Sequence, residues 1–353
     1  MKKSKVVFLG DTLLNNEPLG IQRYAYEILK QLDEIAQDIN IEMIVPESSV
    51  CKIHFNNIKI VQYGTGNGFF WRQFKFPHYL KMSNAIGVDL TLGLPLVGCD
   101  IVCLHDCIYE NYTQDFPGIK NKLKRLSYLI RAKCNVKNSK LILTVSEYSK
   151  KELVDYYNIS PQKIQVIYNA WQHFQRIAPD EAILERLNLS THNYYFALGS
   201  YLPHKNFQWI INEAIANPEK KFIVTGTNKL DNFLDVTKGN KPNNIIFTGF
   251  LKDEEIKALM ENCKLFLHPS YYEGFGIPPL EAISSGAKIA ISRASCLPEI
   301  YGDVAAYFDP DSIADLDDLE SQKRKDASYV LDKYSWRDSA EKMKICLQRC
   351  LDE

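Results

Sequence analysis

Glu273 and Glu281 flank a segment poor in helix formers: Pro269 to Ala282 reads PSYYEGFGIPPLEA, with Gly274, Gly276, Pro278 and Pro279 in it. An ionised carboxylate only accepts hydrogen bonds, so a fixed pair of them suits the vicinal hydroxyls of sugars. Glycines let backbone N–H groups, here those of Gly274, Phe275 and Gly276, approach a ligand closely, and amides near a helix start suit phosphate oxygens. A sugar joined to a diphosphate presents both chemistries, a ribose diol for one glutamate and a hexose for the other. The plain alternative is that Glu281 steadies a helix N-terminus and Glu273 is solvated. A hydrolytic acid and base pair would have to sit astride one bond, and the common location of both residues on one loop and helix argues against it. Cys103, His105 and Cys107 are spaced as metal ligands could be, but a strand over Ile101 to Leu104 explains the cysteines as buried small hydrophobes.

The elements that must hold these residues follow from short apolar, β-branched runs. The first series is Val6–Leu9, Ile41–Val45, Ile58–Val61, Val88–Leu92, Ile101–Leu104, Leu141–Val145 and Ile164–Ile167. Near-continuous runs of this length suit strands covered on both faces. Ile21, Tyr24, Ala25, Ile28, Leu29, Leu32, Ile35 and Ala36 form one helical face between two of them. After a polar passage from Ala170 to Asn193 the rhythm restarts with Tyr194–Leu198, Phe222–Thr225, Ile245–Phe247, Leu265–Leu267, Lys288–Ile291 and Val304–Phe308. The restart predicts an α/β protein of two doubly wound sheets facing across a cleft, with ligands at the carboxyl ends of the strands. A strand over Cys263–His268 should feed the glutamate loop. The helix after it should begin near Pro278 and stop at Gly286, which puts Glu281 in its first turn.

Composition agrees with two domains and removes several function classes. A chain of 353 residues exceeds what one core usually supports. Its 42 Lys+Arg against 43 Asp+Glu give no global field, so nucleic acid is not an expected partner. No uncharged run is long enough to cross a bilayer, the start lacks a signal-peptide pattern, and nine scattered cysteines without a CxxC read as reduced thiols, so the expected location is cytoplasmic. Neither FLGDTLLNN nor EGFGIPP completes a three-glycine dinucleotide pattern, which disfavours a dehydrogenase.

The stretch HPSYYEGFGIPPLEAISSGAKIAISRASCLPEIYGDVAAYFDPDS resembles the donor-site signature of family 4 glycosyltransferases, retaining enzymes of the GT-B fold. The resemblance implies that Glu281 holds the nucleotide ribose and Glu273 the transferred sugar, with the amides of Gly274, Phe275 and Gly276 on sugar hydroxyls. FALGSYLPHKNFQWIINEA is similar to the family's strand, basic loop and helix, so Lys205 is implied to reach the diphosphate; a solvated lysine is the alternative. Many relatives carry an arginine beside this lysine, and Ser200 and His204 are the candidates here. TGFLKDEEIKALMENCKLFLHPS resembles the base-receiving segment, through backbone groups at Phe250 and Leu251. LGIQRYAYEILKQL resembles the glycine loop and first helix, which implies backbone approach at Gly20 and places Arg23 in the cleft or on a helix surface. VCLHDCIYENYTQDFP resembles the His-Asp segment, which makes His105 and Asp106 candidates for touching the donor sugar. The match to the end of the first domain departs from the family at Asn169-Ala170, where Asn-Gly is usual. YSWRDSAEKMKICLQRC resembles the terminal helix that crosses back to the first domain.

These resemblances imply an acceptor-binding domain over 1–172 with a helix at 337–353, and a donor-binding domain over 173–336. They imply a hexose moved from a nucleotide-diphosphate sugar to a saccharide or lipid-linked acceptor, with Lys205, Glu273 and His105 as the catalytic set and no cofactor or essential metal. The GIQRY, HD and YEGFG segments are closest in style to bacterial mannosyl- and rhamnosyltransferases of surface polysaccharide assembly, including O-antigen, which implies GDP-mannose. A non-catalytic nucleotide-sugar binder and a glycoside hydrolase are the other readings. From Lys120 to Lys140, Lys120, Lys122, Lys124, Arg125, Arg131, Lys133, Lys137 and Lys140 occur without an acidic partner among Leu123, Leu126, Tyr128, Leu129 and Ile130. Such a helix rests on anionic lipid or is a solvated helix with a buried stripe.

Overall fold

The computed structural model describes residues 3–14, 20–200, 202–226 and 242–353. The chain divides into two compact units, 1–169 with 335–353, and 170–334. In the first unit, seven parallel strands run in the order β3 (Lys59–Gln62), β2 (Ile41–Val45), β1 (Val6–Leu9), β4 (Ile86–Asp89), β5 (Cys99–Cys103), β6 (Leu141–Thr144) and β7 (Ile164–Val166). Buried on both faces, β1, β2 and β4 need the unbroken apolar runs seen in the sequence. Helix Ile21–Ile35 buries Tyr24, Ala25, Ile28, Leu29 and Leu32 and packs on the terminal helix Trp336–Asp352 within the same unit, where the Tyr24 and Trp336 rings lie 6.2 Å apart.

The second unit holds six parallel strands in the order β10 (Ile245–Gly249), β9 (Phe222–Thr225), β8 (Tyr195–Leu198), β11 (Leu265–His268), β12 (Ile289–Ser292) and β13 (Ala306–Phe308). Both sheets are doubly wound, the pair of Rossmann-like units of the GT-B class. In each, strand order reverses beside the first strand: between β1 and β4 in one, between β8 and β11 in the other. Loops leaving such a pair diverge and open a crevice at their carboxyl ends. That crevice fixes where side chains from distant parts of the sequence meet.

The fourth strand differs from its expected span, Val88–Leu92. It ends at Asp89, whose carboxylate accepts the Thr91 N–H at 2.8 Å and the Leu94 N–H at 2.6 Å. This Asx-type turn curls the chain out of the sheet through left-handed Leu92 and Leu94. Around the unit boundary, Trp171 donates its indole N–H to the Leu331 carbonyl at 3.0 Å, and Gln172 its amide to that of Tyr334 at 3.0 Å. Both residues therefore belong to the second unit, although the expected boundary assigns them to the first.

Candidate functional site

β8 and β11 are neighbours in space, although 66 residues, Gly199 to Lys264, lie between them in sequence. After β8, Pro203 starts a 3₁₀ turn over Pro203–Lys205, and left-handed Asn206 closes it with its side-chain amide on the Pro310 carbonyl at 2.9 Å. After β11 comes the loop Pro269–Gly276. The Tyr271 N–H donates to the His204 carbonyl at 2.7 Å, so the two loops are tied together at the crevice.

This arrangement brings Lys205 onto Glu273. Its Nζ lies 2.8 Å from Oε1 and 2.9 Å from Oε2. His268, the last residue of β11, contacts Oε1 at 2.8 Å through Nε2 and the Ser270 hydroxyl at 3.2 Å. The Glu273 N–H donates to Ser295 Oγ at 2.9 Å, and the Cys296 thiol donates to the Glu273 carbonyl at 3.2 Å. Backbone and side chain are thus both held. Burial by itself would raise the Glu273 pKa, but Lys205 and His268 outweigh it and hold the carboxyl well below the usual range, so it is ionised near neutrality. Glu273 is expected on a loop and does stand on one, but it is buried rather than solvated.

Gly276 adopts φ +82°, which places the chain for the helix Ile277–Ser284, and a Cβ there would lie 2.8 Å from Leu297 Cδ2. The Tyr301 hydroxyl donates to the Gly276 carbonyl, and Phe275 packs edge-on against Tyr334 at 5.2 Å. Because the helix begins at Ile277, Glu281 falls in its second turn. Its expected position in the first turn is therefore corrected: both prolines lie inside the helix as its second and third residues, and no acidic side chain stands in the first turn. Glu281 meets His173 instead, Nε2 to Oε1 at 2.8 Å, both buried.

The remaining candidates of this unit lie along the same strand ends. Ser200 is half-buried just beyond β8, and His204 is buried. Gly249 closes β10, its carbonyl accepting the Thr225 hydroxyl at 2.8 Å and the Gly226 N–H at 3.0 Å. Phe250 then projects into solvent and Leu251 is half-buried.

The first unit holds the others. Gly20, at φ +52°, is exposed and precedes helix Ile21–Ile35, on whose first turn Arg23 is half-buried. His105 follows β5 at its carboxyl end. Its Nε2 lies 2.9 Å from the Leu90 carbonyl and its ring stands edge-on to Tyr24 at 5.0 Å. Burial pulls its pKa down to about 4, so the ring is neutral at physiological pH. Asp106 is half-buried and accepts the Ile108 N–H at 3.0 Å. Cys103 and Cys107 are fully buried, and among the described residues no group of three or more His, Cys, Asp or Glu side chains converges as a metal set.

His268 and His173 escape a reading of the sequence alone. His268 carries one available signal, its place at a strand end five residues before Glu273. His173 carries none, since it sits in a polar passage without periodicity.

The family of glycosyl transferases group 1 matches residues 180–322, which contain Lys205, Glu273 and Glu281. It is 28% identical to an O-antigen chain mannosyltransferase B of Escherichia coli over 187 residues, 50% of this chain and 49% of that protein. It is 28% identical to the O-antigen chain mannosyltransferase RfbU of Salmonella typhimurium over 222 residues, 62% of this chain and 59% of that one. The matched stretches thus span about half the length of these relatives. Among solved structures, Anabaena HepE in complex with UDP and glucose superposes with a TM-score of 0.70 at 16% identity, covering 98% of this chain and 99% of that one. At that identity the likeness establishes the fold.

Proposed function

We propose that the chain is a retaining hexosyltransferase that moves a sugar, mannose from GDP-mannose as the first candidate, to a saccharide or lipid-linked saccharide in bacterial surface polysaccharide synthesis. The observation that carries this reading is the Lys205–Glu273 pair at the β8/β11 crevice, inside the segment matched by the glycosyltransferase family. The mannosyltransferase names of the two relatives support the sugar. In this reading Lys205 faces the departing diphosphate. Its charge counts most when the glycosidic bond breaks and the phosphate oxygens gain charge. Glu273, kept anionic by Lys205 and His268, accepts from hydroxyls of the transferred sugar, and Glu281, steadied by His173, accepts from the ribose. The family resemblance also assigns donor contacts to Gly20, Arg23, His105 and Asp106, and acceptor binding to the first unit.

The lysine and the amides of Gly274, Phe275 and Gly276 supply the positive potential that a metal would otherwise provide, so we assign no essential metal; transfer should survive a chelator. A glycosidase is disfavoured because its general acid needs a raised pKa, whereas Glu273 is pushed down. A lipid-linked acceptor also gives a use to peripheral membrane contact through residues 120–140. No described helix is long and apolar enough to cross a membrane.

A thermal-shift panel of GDP-, UDP- and dTDP-sugars tests the assignment, since a ligand bound only by the folded form raises the melting temperature. GDP-mannose should give the largest shift. Lys205→Met should keep the fold and lose about 10²–10³-fold in transfer. A protein that no nucleotide sugar stabilises would overturn the reading. One that binds donor tightly yet transfers to no acceptor would reduce it to a binding protein.

A further inference from the structure

Helix Gly118–Asn138 has two apolar faces. Tyr128, Ala132 and Val136 are buried and meet the core of the first unit. Ile119, Leu123, Leu126 and Ile130 are between 54 and 79% exposed. At 3.6 residues per turn these four fall within about 60° of one another, roughly half a turn from the buried side. An outward row of four large aliphatic side chains is not explained by folding of the helix, whose core contacts are already made. Lys120, Lys122 and Lys124 are exposed along the same helix, and Lys133 and Lys137 continue the row toward its end. No acidic residue occurs in the helix.

Two further surfaces adjoin it. The first is a groove of about 570 Å³ lined by Leu129, Val136, Tyr156 and Ile159, with Lys133 and Lys137 among its walls. The second comes from the helical run 68–83, which buries Trp71 and Phe76 but exposes Phe69, Phe70 and Phe74. The Arg131 guanidinium, on the basic helix, lies 5.6 Å from the centre of the Phe69 ring and joins the two segments.

We propose that these features form one membrane-docking face of the first unit, in which Ile119, Leu123, Leu126 and Ile130 together with Phe70 and Phe74 enter the interface of an anionic leaflet. Lysines beside the apolar row take the lipid phosphates, Lys133 and Lys137 at the mouth of the groove. The occupant follows from chemistry: the apolar row asks for a hydrocarbon boundary, and an all-basic flank asks for anionic headgroups. The inference rests on the lipid-linked acceptor of the proposed function and deepens it, because the aromatic segment lies outside residues 120–140 and makes the contact two-sided.

Flotation of the full chain with vesicles of phosphatidylcholine alone, and of phosphatidylcholine with phosphatidylglycerol, tests it. Binding to the anionic vesicles should be at least about tenfold stronger and should fall with added salt. Leu123→Glu with Leu126→Glu, and separately Phe70→Ser with Phe74→Ser, should each lower that binding at least about fivefold. Lys133→Gln with Lys137→Gln should remove most of the preference for anionic lipid. Every one of these residues is at the surface and outside the donor machinery, so donor-induced thermal shifts should stay at wild-type size. Equal binding to both vesicles, no binding to either, or unchanged binding by the variants overturns the proposal. So does a concentration-dependent dimer in sedimentation that Leu123→Glu abolishes, since the row would then be a self-contact. Loss of flotation with an intact donor shift sinks the docking face alone, whereas intact flotation without any donor shift sinks the donor reading alone.

Discussion

At Glu273 two opposing effects of burial decide the chemistry. An unpaired buried carboxylate would take up a proton, but the Lys205 ammonium at 2.8 Å and the His268 ring at 2.8 Å make the anion the stable form. The sign for stability follows: the folded pKa lies below the unfolded value of about 4.3, so the pair's contribution is fully present above roughly pH 5 and is lost as the pH falls below it. Glu273→Gln leaves a lysine without its counter-charge, and at pH 7 it should destabilise the protein by about 3 kcal/mol. The variant should also lose less stability than wild type between pH 5 and pH 3; parallel denaturant titrations across that interval check this, and identical slopes would refute it. For Glu281 the partner is His173, which makes His173 a positioning residue for the proposed ribose contact. His173→Ala should raise the donor KM about tenfold with a smaller effect on kcat, and His173→Gln, which can still donate to the carboxylate, should recover most of that loss. A fall in kcat alone, or no recovery with glutamine, would mark His173 as merely structural. The two glutamates were legible in the sequence because glycines and prolines between them are hard to explain otherwise. The two histidines were not, because what makes them matter is a partner 108 residues away for His173, and for His268 a loop conformation that brings back a residue only five positions on.

Element by element, the strands were the most legible part of the chain, since burial on both faces of a parallel sheet forces apolar runs that need no context to interpret. β4 was displaced because an aspartate bonding forward to backbone N–H groups outcompeted the apolar character of Leu90–Leu94. The basic helix was ambiguous for a different reason: both of its stripes are apolar, and only the exposure of each tells which one faces the core. The crevice depends on backbone approach as much as on side chains. Gly226, just past β9, has φ +117°, and a Cβ there would stand 2.0 Å from the Gly199 carbonyl oxygen at the end of β8. Neither backbone can yield without disturbing the strand ends that carry the Lys205 loop. Gly226→Ala should therefore cost at least about 2 kcal/mol, from left-handed strain plus the clash, and should weaken donor binding as well. Equilibrium unfolding with a donor thermal shift measures both, and wild-type values would show that the close approach is not required. A similar change at exposed Gly20, where among the described residues no atom beyond its chain neighbours lies within 4 Å of the added carbon, carries the strain of its φ.

For the molecule as a whole, the terminal helix matters because it returns the last residues to the first unit, so that each unit has its own sheet and core while one of them is discontinuous in sequence. Two cores of this kind need not melt together, and a single transition is not the default expectation for a chain of this length. Calorimetry should resolve two transitions or one with a van't Hoff enthalpy well below the calorimetric value. Tryptophans separate the units: Trp71 and Trp336 report on the first, Trp171 and Trp209 on the second. With Trp71→Phe and Trp336→Phe combined, fluorescence should follow the second unit alone. Because Lys205, Glu273, His173 and Glu281 all lie there, a nucleotide sugar at about 100 times its Kd should stabilise that transition by about 2.7 kcal/mol and raise its midpoint. The complementary variant, with Trp171→Phe and Trp209→Phe, follows the first unit and should show a smaller shift. If the donor moved only the first unit's transition, the charge pair at the β8/β11 crevice would have no part in binding it, and the assignment of the second unit as the donor side would fall.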